Sequence, residues 1–197
     1  MKQGMFRQID RAVAEPFIEQ WHYSRIVPTG RNVFFGWHTD DGLYAVADYG
    51  IGVNCYQAQY LATRTGYDVT PSNLLELKRL CRVEPKQDNM PLTRFLKICH
   101  SRLKNDGIQF IIAFSDPEHG HNGGLYRAAN FTYLGKTNPE RHVVDKDGQQ
   151  VHRRRVLRYM ERHTLNAASA RRQLGLTIIK TMPKDRWFLA LNAEVVQ

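Results

Sequence analysis

The chain has 197 residues, 42% of them apolar and 24% charged, which is enough to bury a core and argues against a disordered or fibrous protein. Lys and Arg outnumber Asp and Glu by 28 to 19, a net charge of +9, and most of the excess lies in residues 141–197. That asymmetry means either a polyanionic partner, most simply nucleic acid, or a solvated basic face. Cys55, Cys81 and Cys99 are an odd count with no CxxC pair, so a disulfide scaffold and a Cys-rich zinc site are unexpected and a reducing cytosol fits. Arg7, Asp10, Arg11 and Glu15 interrupt the first 17 residues, so no signal-peptide core is expected. No apolar run is long enough for a membrane span.

In chain order, a first helix is predicted over 10–20, with Ala12, Val13, Phe17 and Ile18 on its apolar side, running into Trp21-His22-Tyr23-Ser24. Strands 33–38 and 43–49 flank Asp40-Asp41-Gly42, a hairpin pattern. Residues 74–83 are ambiguous. Read as a strand, they put Leu75, Leu77, Arg79, Cys81 and Val83 on one face. Residues 91–104 give the clearest helix, with Pro91 at its start and Asn105-Asp106-Gly107 as its stop. An all-apolar strand at 108–114 follows and is expected at the centre of a sheet. A short helix at 124–130, a strand at 131–136, a hairpin of 143–146 with 150–157 and two strands within 176–191 complete the chain. This α+β order suits one domain over 1–197 whose basic part, 141–197, contributes to DNA binding.

The richest polar cluster, residues 115–124, directly follows the most apolar strand, where ligands collect in open α/β sheets. Ser115 offers a hydrogen bond, and Asp116 either orients a base, holds a cation or caps a turn. Tyr126 falls one turn into the next helix. His119 and His121 near Asp116 raise a metal site, although surface histidines are the simpler reading. His22 and Tyr23 offer a proton carrier and a hydrogen-bond donor. Arg79, on an apolar strand face, needs a partner, either Glu76, Glu84, Asp116 or a bound anion. Arg153, Arg154, Arg155, Lys180, Lys184 and Arg186 are the candidates for phosphate contacts, with Trp187 and Phe188 beside them to stack on or wedge between bases.

Trp21-His22-Tyr23-Ser24, Glu76-Leu77-Lys78-Arg79-Leu80, Phe114-Ser115-Asp116-Pro117, His121 through Gly135 and Pro183-Lys184-Asp185-Arg186-Trp187 together resemble the Mom family of phage DNA-modification proteins. The resemblance spans most of the chain. It implies a GNAT-like fold, that of the acyl-CoA N-acyltransferases, with a mixed central sheet flanked by helices. It also implies conversion of adenine N6 in double-stranded DNA to a carbamoylmethyl (acetamido) derivative, which protects phage DNA from restriction in the host cytoplasm. By position it marks His22, Tyr23, Arg79, Ser115, Asp116 and Tyr126 as active-site residues. Acetyl-CoA or a related acyl-CoA, and iron, are the cofactors it suggests. The loop at 84–90 contains no glycine to cradle a pyrophosphate. Anion binding would then fall to the start of the following helix, around Asn89, Met90 and Thr93. The target base is buried in a duplex and has to be flipped out. Two rival readings remain: an ordinary N-acyltransferase acting on a small amine or a protein, and a non-catalytic DNA-binding protein.

Overall fold

A computed structural model describes residues 4–50, 55–84, 91–149, 151 and 153–191. Two compact units emerge. One comprises 1–115, 121–135 and 185–197, the other 116–120 and 136–184.

The first unit is built on a seven-stranded sheet. In chain order its elements are β1 (Met5–Ile9), α1 (Arg11–Trp21), β2 (Asn32–Thr39), β3 (Gly42–Gly50), α2 (Cys55–Thr65), β4 (Leu74–Arg82), α3 (Leu92–Asn105), β5 (Phe110–Ser115), α4 (Gly124–Ala128), β6 (Thr132–Lys136) and, after the second unit's elements, β9 (Asp185–Ala190). The sheet order is β1-β2-β3-β4-β5-β9-β6. Pairing is antiparallel from β1 to β4 and between β5 and β9, but parallel between β4 and β5.

Alternation along the strands sends side chains to both faces. On one, α3 buries Phe95, Leu96, Cys99 and Leu103 against Ala45, Ala47, Leu75, Leu77 and Ile111. On the other, α1 covers Phe34, Val46 and Cys81 with Ala14, Phe17 and Ile18. The helix α2 places Ala58 and Leu61 over Phe110, Ile112 and Phe188. β5 is packed on both faces, which explains its unbroken apolar run. Burial of this kind is the main stabilising term, at roughly 25 cal/mol per Å² of apolar surface.

The second unit contains β7 (Arg141–Val144), α5 (Arg153–His163), α6 (Ala167–Gln173) and β8 (Thr177–Lys180). β7 and β8 pair antiparallel. Val151, Val156 and Ala170 are buried together, with Val143, Tyr159, Met160, Leu165 and Leu176 against them.

Most predicted elements are present, the hairpin at 33–49 forms as expected, and the ambiguous segment 74–83 is a strand over Leu74–Arg82. The clearest departure is 150–157, where a strand was expected. Helix α5 begins at Arg153 instead, because Val156, Tyr159 and Met160 follow helical spacing and bury one side. The helices α2 and α6 and the edge strand β1 were not foreseen. No described helix is long and apolar enough to cross a membrane.

Candidate active site

The parallel pairing of β4 and β5 is short. It joins Leu74–Leu77 to Phe110–Ala113 and then stops, although β4 continues to Arg82 and β5 to Ser115. A bulge accompanies the divergence. Asp48 and Tyr49 of β3 face Arg79 and Leu77, leaving Lys78 unopposed. Beyond Leu77 the β4 edge therefore has no strand partner on the β5 side among the described residues, and an extended amide-bearing ligand can bond there as an added strand would.

Five of the six residues marked by the family resemblance belong to the first unit. His22 ends α1 as its C-cap, is buried, and holds its own backbone N–H on Ile18 O. Its Nδ1 accepts the Ser24 backbone N–H at 3.1 Å and lies 2.8 Å from Ser24 Oγ. A backbone amide can only donate, so neutral His22 carries its proton on Nε2. Tyr23, half exposed, packs on the His22 ring at 4.3 Å and meets His121 edge-on at 5.1 Å.

Arg79 finds a partner that was not among those expected. Its Nε donates to Ile26 O at 2.9 Å and Nη1 to Lys78 O at 2.7 Å. It thus ties the segment after His22 to the bulged part of β4.

Ser115 is buried, and its Oγ accepts the Trp187 indole N–H at 2.9 Å. Tyr126 extends its hydroxyl towards Phe114 O at 3.5 Å. Desolvation pushes its phenol above the ordinary range, with Tyr23 and Glu76 adding to the shift, so it remains a proton donor at neutral pH. Trp187 is buried beneath Tyr126 and Tyr133, at 5.9 and 5.2 Å. A Cβ at Gly123 would overlap the Trp187 ring, and Gly123 has φ +71, so both space and backbone require glycine there. Trp187 and Phe188 are thus core residues rather than base-stacking aromatics.

One buried group was missed. Asp48 on β3 is fully buried, and among the described residues neither carboxylate oxygen has a well-formed hydrogen bond, the Asn32 side chain being only a weak partner. Burial raises its pKa to about 6, against the pull of Lys78 and Arg79. An acid in an otherwise apolar strand, on the same face as Val46, was the visible clue.

Asp116 belongs to the second unit. It is buried, its Oδ1 accepts the Glu118 N–H at 3.1 Å, and its Oδ2 lies 3.8 Å from Lys184 Nζ. Lys184 is therefore engaged with an acid. Lys180 is exposed on β8 and Arg155 on α5. Arg153 and Arg154 start α5, but their side chains lie outside the described residues. Arg186 is in the first unit, where its Nη1 donates to Tyr60 OH at 2.9 Å and its guanidinium covers that ring at 4.5 Å.

Asn89 and Met90 also lie outside the described residues. Thr93 lies in the first turn of α3, which has no acidic residue and no side-chain cap, as suits an anion. With Arg94, Lys97, His100, Ala129 and Asn130 it lines an open cavity of about 420 Å³. His100 is nearly buried and its Nε2 has no partner among the described residues; burial lowers its pKa to about 4. Arg94 and Lys97, two cations on the first two turns of α3, fit the phosphates of an acyl-CoA. Metal chemistry does not find such support: among the described residues no three His, Cys, Asp or Glu side chains are grouped to hold an ion.

A mixed sheet whose two central parallel strands diverge over an open helix start defines the N-acetyltransferase (GNAT) fold. Solved structures with this fold cover nearly the whole chain. They include the ribosomal-protein-S18-alanine N-acetyltransferase of Escherichia coli (11% identity, 99% of each chain, TM-score 0.53). A spermidine N-acetyltransferase of Vibrio cholerae matches at 10% identity over 98% of this chain and 97% of that one, TM-score 0.54. An N-acetyltransferase of Staphylococcus aureus Mu50 matches at 10% identity over 96% and 99%, TM-score 0.53. The chain belongs to the Mom protein family, whose model matches residues 3–195. No curated protein matches it.

Proposed function

We propose that this protein modifies adenine in double-stranded DNA, placing a carbamoylmethyl group on N6 and so shielding phage DNA from restriction in the host cytoplasm. The observation that carries this reading is the Mom-family match over residues 3–195. The net charge of +9 suits a polyanionic substrate.

The adenine amino lone pair is delocalised into the ring, so N6 reacts only if its proton is removed as the new bond forms. Asp116, a buried carboxylate, is assigned to accept that proton. His22 through Nε2, Tyr23 and Tyr126 supply N–H and O–H donors to charge that develops on the transferred group. Arg79 positions the segment that carries His22 and Tyr23. An acyl-CoA held by Thr93, Arg94 and Lys97 would deliver only an acyl group and release the CoA thiol, so the alkyl carbon and amide nitrogen of the carbamoylmethyl product require a further, nitrogen-bearing co-reactant. Plain acyl transfer would leave an N6-acetyl group, whereas the carbamoylmethyl product needs an alkyl carbon–nitrogen bond and a second nitrogen, so the product itself identifies the chemistry. The test is mass spectrometry of nucleosides from DNA of expressing cells.

The fold neighbours favour a second reading, an N-acyltransferase acting on a small amine or a protein. It predicts unmodified DNA together with an acylated amine.

A further inference from the structure

The second unit carries twelve of the 28 Lys and Arg but only six of the 19 Asp and Glu, a net charge of +6. Residues 162–184 contain no acid at all. The charge sits on a specific backbone device. Helix α5 ends at His163 and α6 begins at Ala167, with three residues between them.

All three linking residues have defined roles. Thr164 takes a left-handed conformation, φ +52, and the Leu165 N–H reaches back to Met160 O at 3.0 Å, closing α5 in a Schellman arrangement. Asn166 caps α6, its side chain accepting the Ser169 N–H at 2.9 Å. Leu165 itself packs with Val156 and the fully buried Ala170, fixing one helix on the other. A second tie runs from Tyr159 OH to Gln173 Oε1 at 3.2 Å. Two helices joined by a fixed three-residue turn have the connectivity of a helix-turn-helix.

The outward faces of the two helices differ. On α5, Arg155, Arg158 and Arg162 are exposed at helical spacing. On α6, Ala168 and Arg172 are exposed one turn apart. We infer that residues 153–173 form a helix-turn-helix that docks on duplex DNA, with α5 across the phosphate backbone and the Ala168–Arg172 face of α6 in the major groove. The inference rests on the reading that duplex DNA is the substrate, and it names the segment that engages the duplex. Backbone cations hold the duplex without selecting sequence; an arginine on the second helix reaches base edges and selects. The module would therefore set the sequence context in which adenine is modified.

The test measures duplex affinity of the full-length protein by fluorescence anisotropy, together with the sequence context of modified adenines in cells. Arg172→Ala and Ala168→Glu change exposed positions; circular dichroism and melting confirm folding. Each should weaken specific duplex binding by about tenfold or more, and Arg172→Ala should broaden the modified context. Lys104→Ala, an exposed charge loss on α3, should leave both unchanged. Removing Arg155, Arg158 or Arg162 should flatten the salt dependence by about one unit of log–log slope each.

If wild type binds and modifies DNA but Arg172→Ala and Ala168→Glu behave like it, the module is overturned and the proposed function stands. If those variants change only the oligomeric state in sedimentation, the face meets a second copy of the chain and the inference is wrong. If wild type neither binds nor modifies DNA, both readings fall.

Discussion

Asp48 and Arg79 stand opposite each other in the β3–β4 register, yet Arg79 directs its Nε and Nη1 to the carbonyls of Ile26 and Lys78, and among the described residues the Asp48 carboxylate has no well-formed hydrogen bond. The charged form of Asp48 is therefore the costly one. Its pKa, raised to about 6 from 3.8, makes its contribution to stability fully present below about pH 4 and lost as pH rises through 6. The difference is about 3 kcal/mol. Urea unfolding from pH 4 to pH 7 should show this fall in wild type and a flatter profile in Asp48→Asn. Parallel profiles would remove Asp48 as its source.

Arg79→Lys tests whether the guanidinium positions the His22 segment. Lysine has no planar fork with which to serve both carbonyls. Amide exchange at residues 24–27 should accelerate and DNA modification should fall at least tenfold, with global unfolding shifted by about 1 kcal/mol. Unchanged exchange with lost activity would instead indicate direct contact with substrate.

Tyr126→Phe removes a hydroxyl whose bond to Phe114 O is long, 3.5 Å. The stability change should stay below about 1 kcal/mol, while modification should be lost. Wild-type modification would take Tyr126 out of the chemistry.

Thr164 is a β-branched residue held at positive φ. Thr164→Gly should relieve that strain and raise stability by about 1 kcal/mol in urea unfolding. A destabilised variant would mean that the Thr164 side chain supports the turn.

The sequence alone was most informative where periodicity was strong. The 3.6-residue spacing of Phe95, Leu96, Cys99 and Leu103 and the unbroken run at β5 are burial patterns written locally. The five first-unit candidates are readable from a helix end, a strand face and the polar cluster after β5, and the family motifs mark the same residues. What stayed hidden depends on long-range pairing. The early end of the β4–β5 ladder, the bulge at Lys78 and the partners of Arg79 follow from strand register, which no short window contains. Helix α5 was misread because its arginines obscured the spacing of Val156, Tyr159 and Met160. Trp187, beside Arg186 in sequence, looked like a DNA-facing aromatic, but strand alternation turns it into the core.

Asp116 and Lys184, 3.8 Å apart, separate binding from chemistry. Asp116→Ala should abolish modification while duplex affinity holds or rises, because a negative charge is gone. Lys184→Ala leaves a buried acid without its cation and should cost about 1 kcal/mol of stability, the pair being partly exposed. Equal loss of affinity in both would contradict the assignment of Asp116 to the chemical step.

The most direct test of the account is mass spectrometry of nucleosides from the DNA of cells expressing wild type and Asp116→Ala. The account predicts N6-carbamoylmethyl-deoxyadenosine with the wild type and only unmodified deoxyadenosine with the variant. Unmodified deoxyadenosine alone from cells rich in folded wild-type protein would contradict it.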